Sequence, residues 1–280
     1  MQMDLATSPG SPERPNEDWV SMALPASGRG GSLVVLDGVT PPEGGYGCVH
    51  PVPWFTARLG GALLELSASR PDTELAGILS AAIRRTADAH RETCDLSHVR
   101  TPQATVVLVR WGGPGDPVEH LVLADSTLLI ESPEGEVRAV TDERVGRLPQ
   151  EIRRSHAAVD ALRNAEGGFF TAAADPSVAL RAVTGSTPRS RVRSVAALTD
   201  GAARWVDLFG QGDWARCLGV LRAEGARGLI GRVRELETRA GEDGSARTAP
   251  RRWKLHDDAS AVLAELAGDG DRAVSPPRGR

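Results

Sequence analysis

The chain has 280 residues, 40% of them hydrophobic and 25% charged, enough to bury a full core and close to the upper size for one domain. A formal net charge of −4 argues against a general nucleic-acid binder, whose phosphate contacts need a basic surface. No run approaches the roughly eighteen apolar residues of a membrane-spanning helix, and an export signal is missing from the N-terminal region, so the expected location is cytoplasmic, with no membrane partner. Three widely spaced cysteines, Cys48, Cys94 and Cys217, read as reduced thiols rather than a disulfide framework.

In chain order, the first ten residues read as a flexible N-terminus. Ser32 to Leu36 is an apolar run that predicts a strand ending at Asp37-Gly38. A Pro/Gly-rich loop follows from Thr40 to Gly47, then helical patterns from Trp54 to Ser69 and from about Thr73 to Cys94. The second places Leu75, Ile78, Leu79, Ala82 and Ile83 on one face, with Asp72 or Thr73 able to cap it. Arg70-Pro71 between them makes a helical hairpin, and Trp54 and Trp111 are expected in the core. Ala104 to Trp111, Glu119 to Ala124, Thr127 to Glu131 and Glu136 to Val140 predict strands, the last pair joined by a Ser132-Pro133-Glu134-Gly135 turn; such a meander implies an antiparallel sheet.

Residues 141–190 are less periodic and predict a helix from about Gln150 to Arg163 and a short one after Asp175-Pro176. Arg193 to Leu198 predicts a strand running into Thr199-Asp200-Gly201. Ala202 to Ala240 is helical, interrupted at Gly210 to Gly212 and near Gly225; Gly241 to Arg252 reads as a polar loop and Ala259 to Leu266 as the final strand. Residues 268–280 read as a disordered tail, leaving 11–267 as a single domain. Periodicity alone gives an α+β chain with antiparallel strands.

Four acidic signatures sit where a strand meets a loop: Asn16-Glu17-Asp18, Asp37-Gly38, Asp200-Gly201 and Asp257-Asp258. An apolar strand fixes the backbone while the residue past its end projects into a crevice, and Mg²⁺ or Mn²⁺ takes a few carboxylates, a carbonyl and waters in octahedral geometry. Glycine after each aspartate lets the chain turn and brings a carbonyl near an ion. Taken singly, Asp37 and Asp200 are also ordinary turn residues, Asp18 a helix cap and Asp257-Asp258 a solvated pair.

The joint order of these signatures, with Ala124-Asp125-Ser126 between them, resembles the type 2C metal-dependent serine/threonine protein phosphatases, in a divergent bacterial branch. That family runs from N-E-D through D-G, G-D-S and S/T-D-G to D-N or D-D, and the resemblance spans about residues 12–266. It implies an αββα sandwich of two antiparallel sheets flanked by helical hairpins. It implies two Mn²⁺ or Mg²⁺ ions, bridged by Asp37, with Asp200 and Asp257 completing the first shell, Glu17 and the Gly38 carbonyl serving the second ion, and Asp18 behind them. A third, weaker ion would use Asp125 and Asp200. The implied reaction is hydrolysis of phosphoserine or phosphothreonine on a protein substrate of a serine/threonine kinase, by a hydroxide activated between the ions. The alternative is a non-catalytic binding module on the same fold.

Three places depart from or blur the family pattern. Asp258 competes with Asp257, Ser260 and the strand favouring Asp257. Arg14 is the candidate phosphate clamp, three residues before Glu17 where the family spacing is four. Where the eukaryotic pattern continues D-G-H-G-G with an acid for the leaving group, this chain has Val39, which implies weakened activity; His50 is close enough in sequence to serve instead, or is structural. Cys48 and His50 resemble half of a zinc site, but the sequence offers no second pair with ligand spacing.

Overall fold

The apolar run before Asp37 forms a strand, β3 (Gly31–Leu36), that is buried on both faces, which is why it is continuously apolar rather than alternating. Leu33 and Val35 enter one core layer, Val34 and Leu36 another. The computed structural model describes residues 2–27, 29–42, 45–113, 115–242 and 255–266. Its other strands are β1 (Gln2–Ser8), β2 (Trp19–Ala23), β4 (Val106–Trp111), β5 (Pro117–Leu123), β6 (Thr127–Glu131), β7 (Val137–Val140), β8 (Val183–Pro188), β9 (Ser194–Leu198) and β10 (Ala259–Glu265). They form two antiparallel five-stranded sheets, β2-β3-β4-β5-β8 and β1-β10-β9-β6-β7.

The sheets stack through Leu33, Val35, Val107, Val109, Leu128, Val195, Ala197 and Val262. Outside the first sheet lie α1 (Val52–Ser69) and α2 (Leu75–Asp88), which pack Phe55, Leu59, Leu63, Ile78 and Ile83 onto Val34, Leu36 and Leu108. Outside the second lie α5 (Asp200–Asp207) and α6 (Trp214–Glu242), with Leu218, Leu221, Leu229 and Val233 against Ala196, Leu198 and Leu263. This is the αββα sandwich. Each fully buried aliphatic chain contributes about 1.5–3 kcal/mol, so all three layers matter. Gly60 inside α1 has a packing reason: a Cβ there would lie 2.2 Å from the Trp19 ring.

Several expectations are corrected. Within the N-terminal stretch expected to be flexible, residues 2–8 form an edge strand paired with β10 from Gln2↔Glu265 to Ser8↔Ala259, and edge position explains their weak apolar pattern. The helix expected over 150–163 is two, α3 (Gln150–Arg153) and α4 (His156–Leu162), broken where Ser155 turns extended and accepts the Ala158 amide as a cap. Helix α2 begins later and ends sooner than expected, and neither Asp72 nor Thr73 caps it; the flanking residue is Glu74, without a side-chain bond. Trp111 is buried between the sheets, whereas Trp54 is only partly buried. The tail at 268–280 and most of the loop at 241–252 lie outside the described residues. No helix among the described residues is long and apolar enough to cross a membrane.

Candidate metal centre

Five segments meet at one end of the sandwich. Strand β3 delivers Asp37, β9 delivers Thr199 and Asp200, the approach to β10 delivers Asp257 and Asp258, the loop before β2 delivers Glu17 and Asp18, and the β5–β6 turn, which crosses from one sheet to the other and so splits the expected meander, delivers Asp125. Burial pushes the Asp37 carboxyl well above the usual range, and the charges of Asp200, Asp18, Asp257 and Asp125 push it further. Asp18 is also held well above the usual range, first by burial; hydrogen bonds from Ser260 and Thr199 oppose this, and Asp258 and Asp200 add to it. So much like charge in a buried crevice is stable only with a proton or a cation to neutralise it.

The glycines beside these aspartates serve close approach, not turning. Neither Gly38 nor Gly201 has a positive φ. A Cβ on Gly38 would lie 2.5 Å from the Glu17 carbonyl oxygen and 2.9 Å from Glu17 Cβ, and one on Gly201 would lie 1.9 Å from the Asp258 carbonyl oxygen. Only glycine lets the segments touch.

Hydroxyls supply the remaining stitching. The Asp37 amide donates to Thr105 Oγ1 at 3.1 Å, and that hydroxyl lies 2.6 Å from Ser126 Oγ, tying the first aspartate to the Asp125 turn. Thr199 Oγ1 donates to Asp18 Oδ2 at 2.9 Å and accepts the Ser260 amide at 2.9 Å. The Thr40 hydroxyl donates to Glu17. Ala124 holds a left-handed φ of 66° to make the turn from one sheet to the other, where the family pattern has glycine.

The adjacent carboxylates Asp257 and Asp258 have different surroundings. Asp258 accepts the Gly10 and Glu17 amides, each at 2.7 Å, and so clamps the N-terminal loop. Asp257 lines a cleft of about 720 Å³ together with Asp125, Asp142, Arg153, Asp200 and Trp214. Its Oδ2 accepts from Arg204 at 2.9 Å. Arg204 also donates to Glu237 at 2.6 Å, and buried Glu237 is bonded to Arg234 and His256 as well.

The donor set fits hard divalent cations. It is all oxygen, its carboxylates lie close enough to repel one another, and Asp18 Oδ1 is buried without a hydrogen-bond partner.

The structure superposes on the serine/threonine phosphatase Stp1 from Staphylococcus aureus over 95% of this chain and 95% of that one, at 13% identity and a TM-score of 0.57. It matches the serine/threonine phosphatase PstP/Ppp of Mycobacterium tuberculosis over 95% and 98%, at 16% identity and 0.56. It also matches the PPM Ser-Thr phosphatase MsPP from Mycobacterium smegmatis, solved in complex with cacodylate, over 95% and 99%, at 15% identity and 0.56. The chain has the PPM serine/threonine phosphatase fold. No family model and no curated protein sequence matches it.

Two candidate residues lie outside the wired part of this phosphatase-fold centre. Arg14 is exposed on the loop leading to Glu17, and its amide bonds to Ser11. His50 faces away to other partners: its ring stacks on Trp54 at 4.0 Å, lies 5.8 Å from the His90 ring, and presents Nδ1 to Cys94 Sγ at 3.4 Å and Cys48 Sγ at 3.7 Å. Burial opposes ionisation of Cys94, yet bonds from Cys48, the Val49 amide, His50 and Thr93 bring its thiol down to about 6; burial first, then Cys48's bond to Cys94, raises Cys48 to about 11.

Sequence reasoning missed three members of the PPM-fold site. Asp142 bonds the Ala124 amide at 3.2 Å and Arg144 at 2.8 Å, holding the Asp125 turn; it stands two residues past the end of β7, as Asp200 does past β9, so the strand-end rule used for the other carboxylates could have found it. Arg204 stands one helical turn after Asp200, but its pairing with Asp257 has no local signal. Thr105 offers no signal beyond lying near the start of a strand.

Proposed function

We propose that this protein is a metal-dependent phosphomonoesterase acting on phosphoserine and phosphothreonine in proteins phosphorylated by a serine/threonine kinase, in the cytoplasm. The observation that carries this reading is the convergence of Asp37, Asp200, Asp257, Asp18 and Asp125, from five segments, into one mutually repelling cluster on the PPM phosphatase fold. Asp37 would bridge two Mn²⁺ or Mg²⁺ ions, Asp200 and Asp257 would hold the first, and Glu17 with the Gly38 carbonyl the second. Asp125 and Asp200 would take a third. When bound, such ions supply Lewis-acid activation of water and of the phosphoryl group.

The chain's own residues do the positioning. Asp258 and Thr199 fix the Glu17-Asp18 loop, while Thr105 and Ser126 fix Asp37, so little reorganisation is needed when a phosphate arrives. Arg14, exposed on the loop three residues before Glu17, would be the phosphate clamp, its guanidinium fork matching two phosphoryl oxygens. His50, with its ring turned to two sulfurs, is the weaker candidate for a proton donor, and Val39 leaves the usual place of that acid apolar.

The test is Mn²⁺-dependent hydrolysis of p-nitrophenyl phosphate. Activity should be abolished by EDTA and fall at least about a hundredfold in Asp200→Ala, since loss of a ligand removes charge stabilisation and nucleophile generation together. Equal rates in both proteins would sink the enzyme reading. The alternative is a non-catalytic binding module on the same fold, in which Arg204, bonded to Asp257 Oδ2, would serve only to hold that carboxylate in place. Metal binding by calorimetry without turnover would support it.

A further inference from the structure

We infer that Cys48, His50 and Cys94 form a second metal site, selective for a soft, zinc-class divalent cation and separate from the carboxylate centre. The three candidate ligand atoms lie within 4.8 Å of one another. With metal–sulfur bonds of ~2.3 Å and metal–nitrogen bonds of ~2.0–2.1 Å at tetrahedral angles, S···N separations come to roughly 3.6 Å and S···S to roughly 3.8 Å. His50 Nδ1 lies 3.7 Å from Cys48 Sγ and 3.4 Å from Cys94 Sγ, which brackets the first value. The sulfurs are 2.8 Å apart and would part by about 1 Å to admit the ion. An imidazole nitrogen aimed at both sulfurs is what a metal site requires and a disulfide does not.

The surroundings supply what supports such ligands. The His50 amide donates to Cys48 Sγ and the Val49 amide to Cys94 Sγ, both at 3.4 Å, and N–H···S bonds of this kind orient thiolates around a metal. The two ligand-bearing loops are clamped independently: the Asp95 amide donates to the Gly47 carbonyl at 2.6 Å, and Gly47 holds a φ of 73° where a Cβ would strike His98. An independent pointer is His90, four residues before Cys94. It is 3% exposed, its ring is 5.8 Å from that of His50, and its Nδ1 is buried without a hydrogen-bond partner. His90 is the chain's own candidate for the fourth ligand.

Two thiolates with imidazole select zinc-class ions, whereas the all-oxygen centre selects Mn²⁺ or Mg²⁺, so one chain would carry two sites of opposite preference. The inference does not rest on phosphatase activity.

The test uses the reduced full-length protein titrated with Co²⁺. A thiolate-to-cobalt charge-transfer band should saturate at one equivalent, persist in excess Mg²⁺, and vanish on addition of one equivalent of Zn²⁺. Cobalt at the oxygen centre gives no such band, so Asp200→Ala should retain it while Cys94→Ser and His50→Ala lose or reshape it. Absence of the band in reduced wild-type protein overturns the site, as does a band unchanged in Cys94→Ser. A Cys48–Cys94 disulfide in the protein as purified, with no cobalt bound after reduction, also overturns it.

Discussion

Replacing Gly201 with alanine sets two effects of opposite sign against each other. In a helix, alanine is better than glycine by up to about 1 kcal/mol, and Gly201 lies in the first turn of α5, so propensity alone predicts stabilisation. The new Cβ, however, would lie 1.9 Å from the Asp258 carbonyl oxygen, a backbone atom that cannot rotate away. Relieving that overlap costs about 1–3 kcal/mol as overpacking. Moving Asp258 also stretches its two 2.7 Å bonds from the Gly10 and Glu17 amides, charge-assisted bonds worth about 1.5–3 kcal/mol each. The clash wins, and the net expectation is a loss of about 2 kcal/mol or more. At about 2–4 °C per kcal/mol for a chain of this size, the melting temperature should fall by at least about 4 °C. The control is Gly219→Ala in α6, where nothing lies within 4 Å of the new methyl and a gain of up to about 1 kcal/mol is expected. Thermal and guanidinium denaturation of both variants decide the matter. A Gly201→Ala protein as stable as wild type, or moving in the same direction as Gly219→Ala, would refute the close-approach argument.

Asp37→Asn should weaken both proposed ions together, because a neutral amide offsets less charge and bridges poorly; unchanged Mn²⁺ affinity and stoichiometry by calorimetry would put the ions elsewhere. Thr199→Val removes the donor to Asp18 Oδ2 and the acceptor of the Ser260 amide at almost constant volume, so denaturation should show a loss of roughly 1–3 kcal/mol. His120 on β5 is buried, and desolvation, then the Arg138 charge, lowers it to about 4. The unfolded chain therefore binds the extra proton first, and stability should fall by up to about 3 kcal/mol as pH drops from about 6.5 to about 4; a His120→Leu variant with the same pH slope would show that the slope comes from elsewhere. With Val39 where an acid would stand, aryl phosphates should be favoured over phosphoserine peptides by about 10²–10⁴-fold, and equal rates on both would point to an unrecognised proton donor.

The sequence made legible what depends on local pattern. The doubly buried runs at Ser32–Leu36 and Arg193–Leu198, the helical faces of α1 and α2, and the break at Gly225, with its φ of 75°, follow from periodicity and glycine. The ordered acidic motifs named the phosphatase fold. Three edge strands were not legible: β1, β2 and β8 bury only part of their surface, so their patterns are diluted, and β1 gains its order from pairing with residues more than 250 positions away. In the site, the carboxylates were visible because they follow strands. Arg204's pairing with Asp257 and the arrival of Cys94 beside Cys48 and His50 are products of tertiary packing, and no spacing along the chain encodes them.

The pairing of β1 with β10 has a consequence for synthesis on the ribosome. At roughly 5–20 residues per second, residues 2–8 emerge more than about 10 s before the strand they pair with exists. The Gly10 and Glu17 amides wait equally long for Asp258, and Asp18 waits nearly as long for the backbone of Ser260 to position Thr199. The nascent chain can therefore complete its helical layers early, but the acidic centre cannot assemble until residues 257–265 have been made. A chain stalled before that point would hold Asp37, Asp125 and Asp200 in an unfinished crevice, lacking Asp257 and Asp258 and with an unpaired β9 edge exposed to chaperones and proteases.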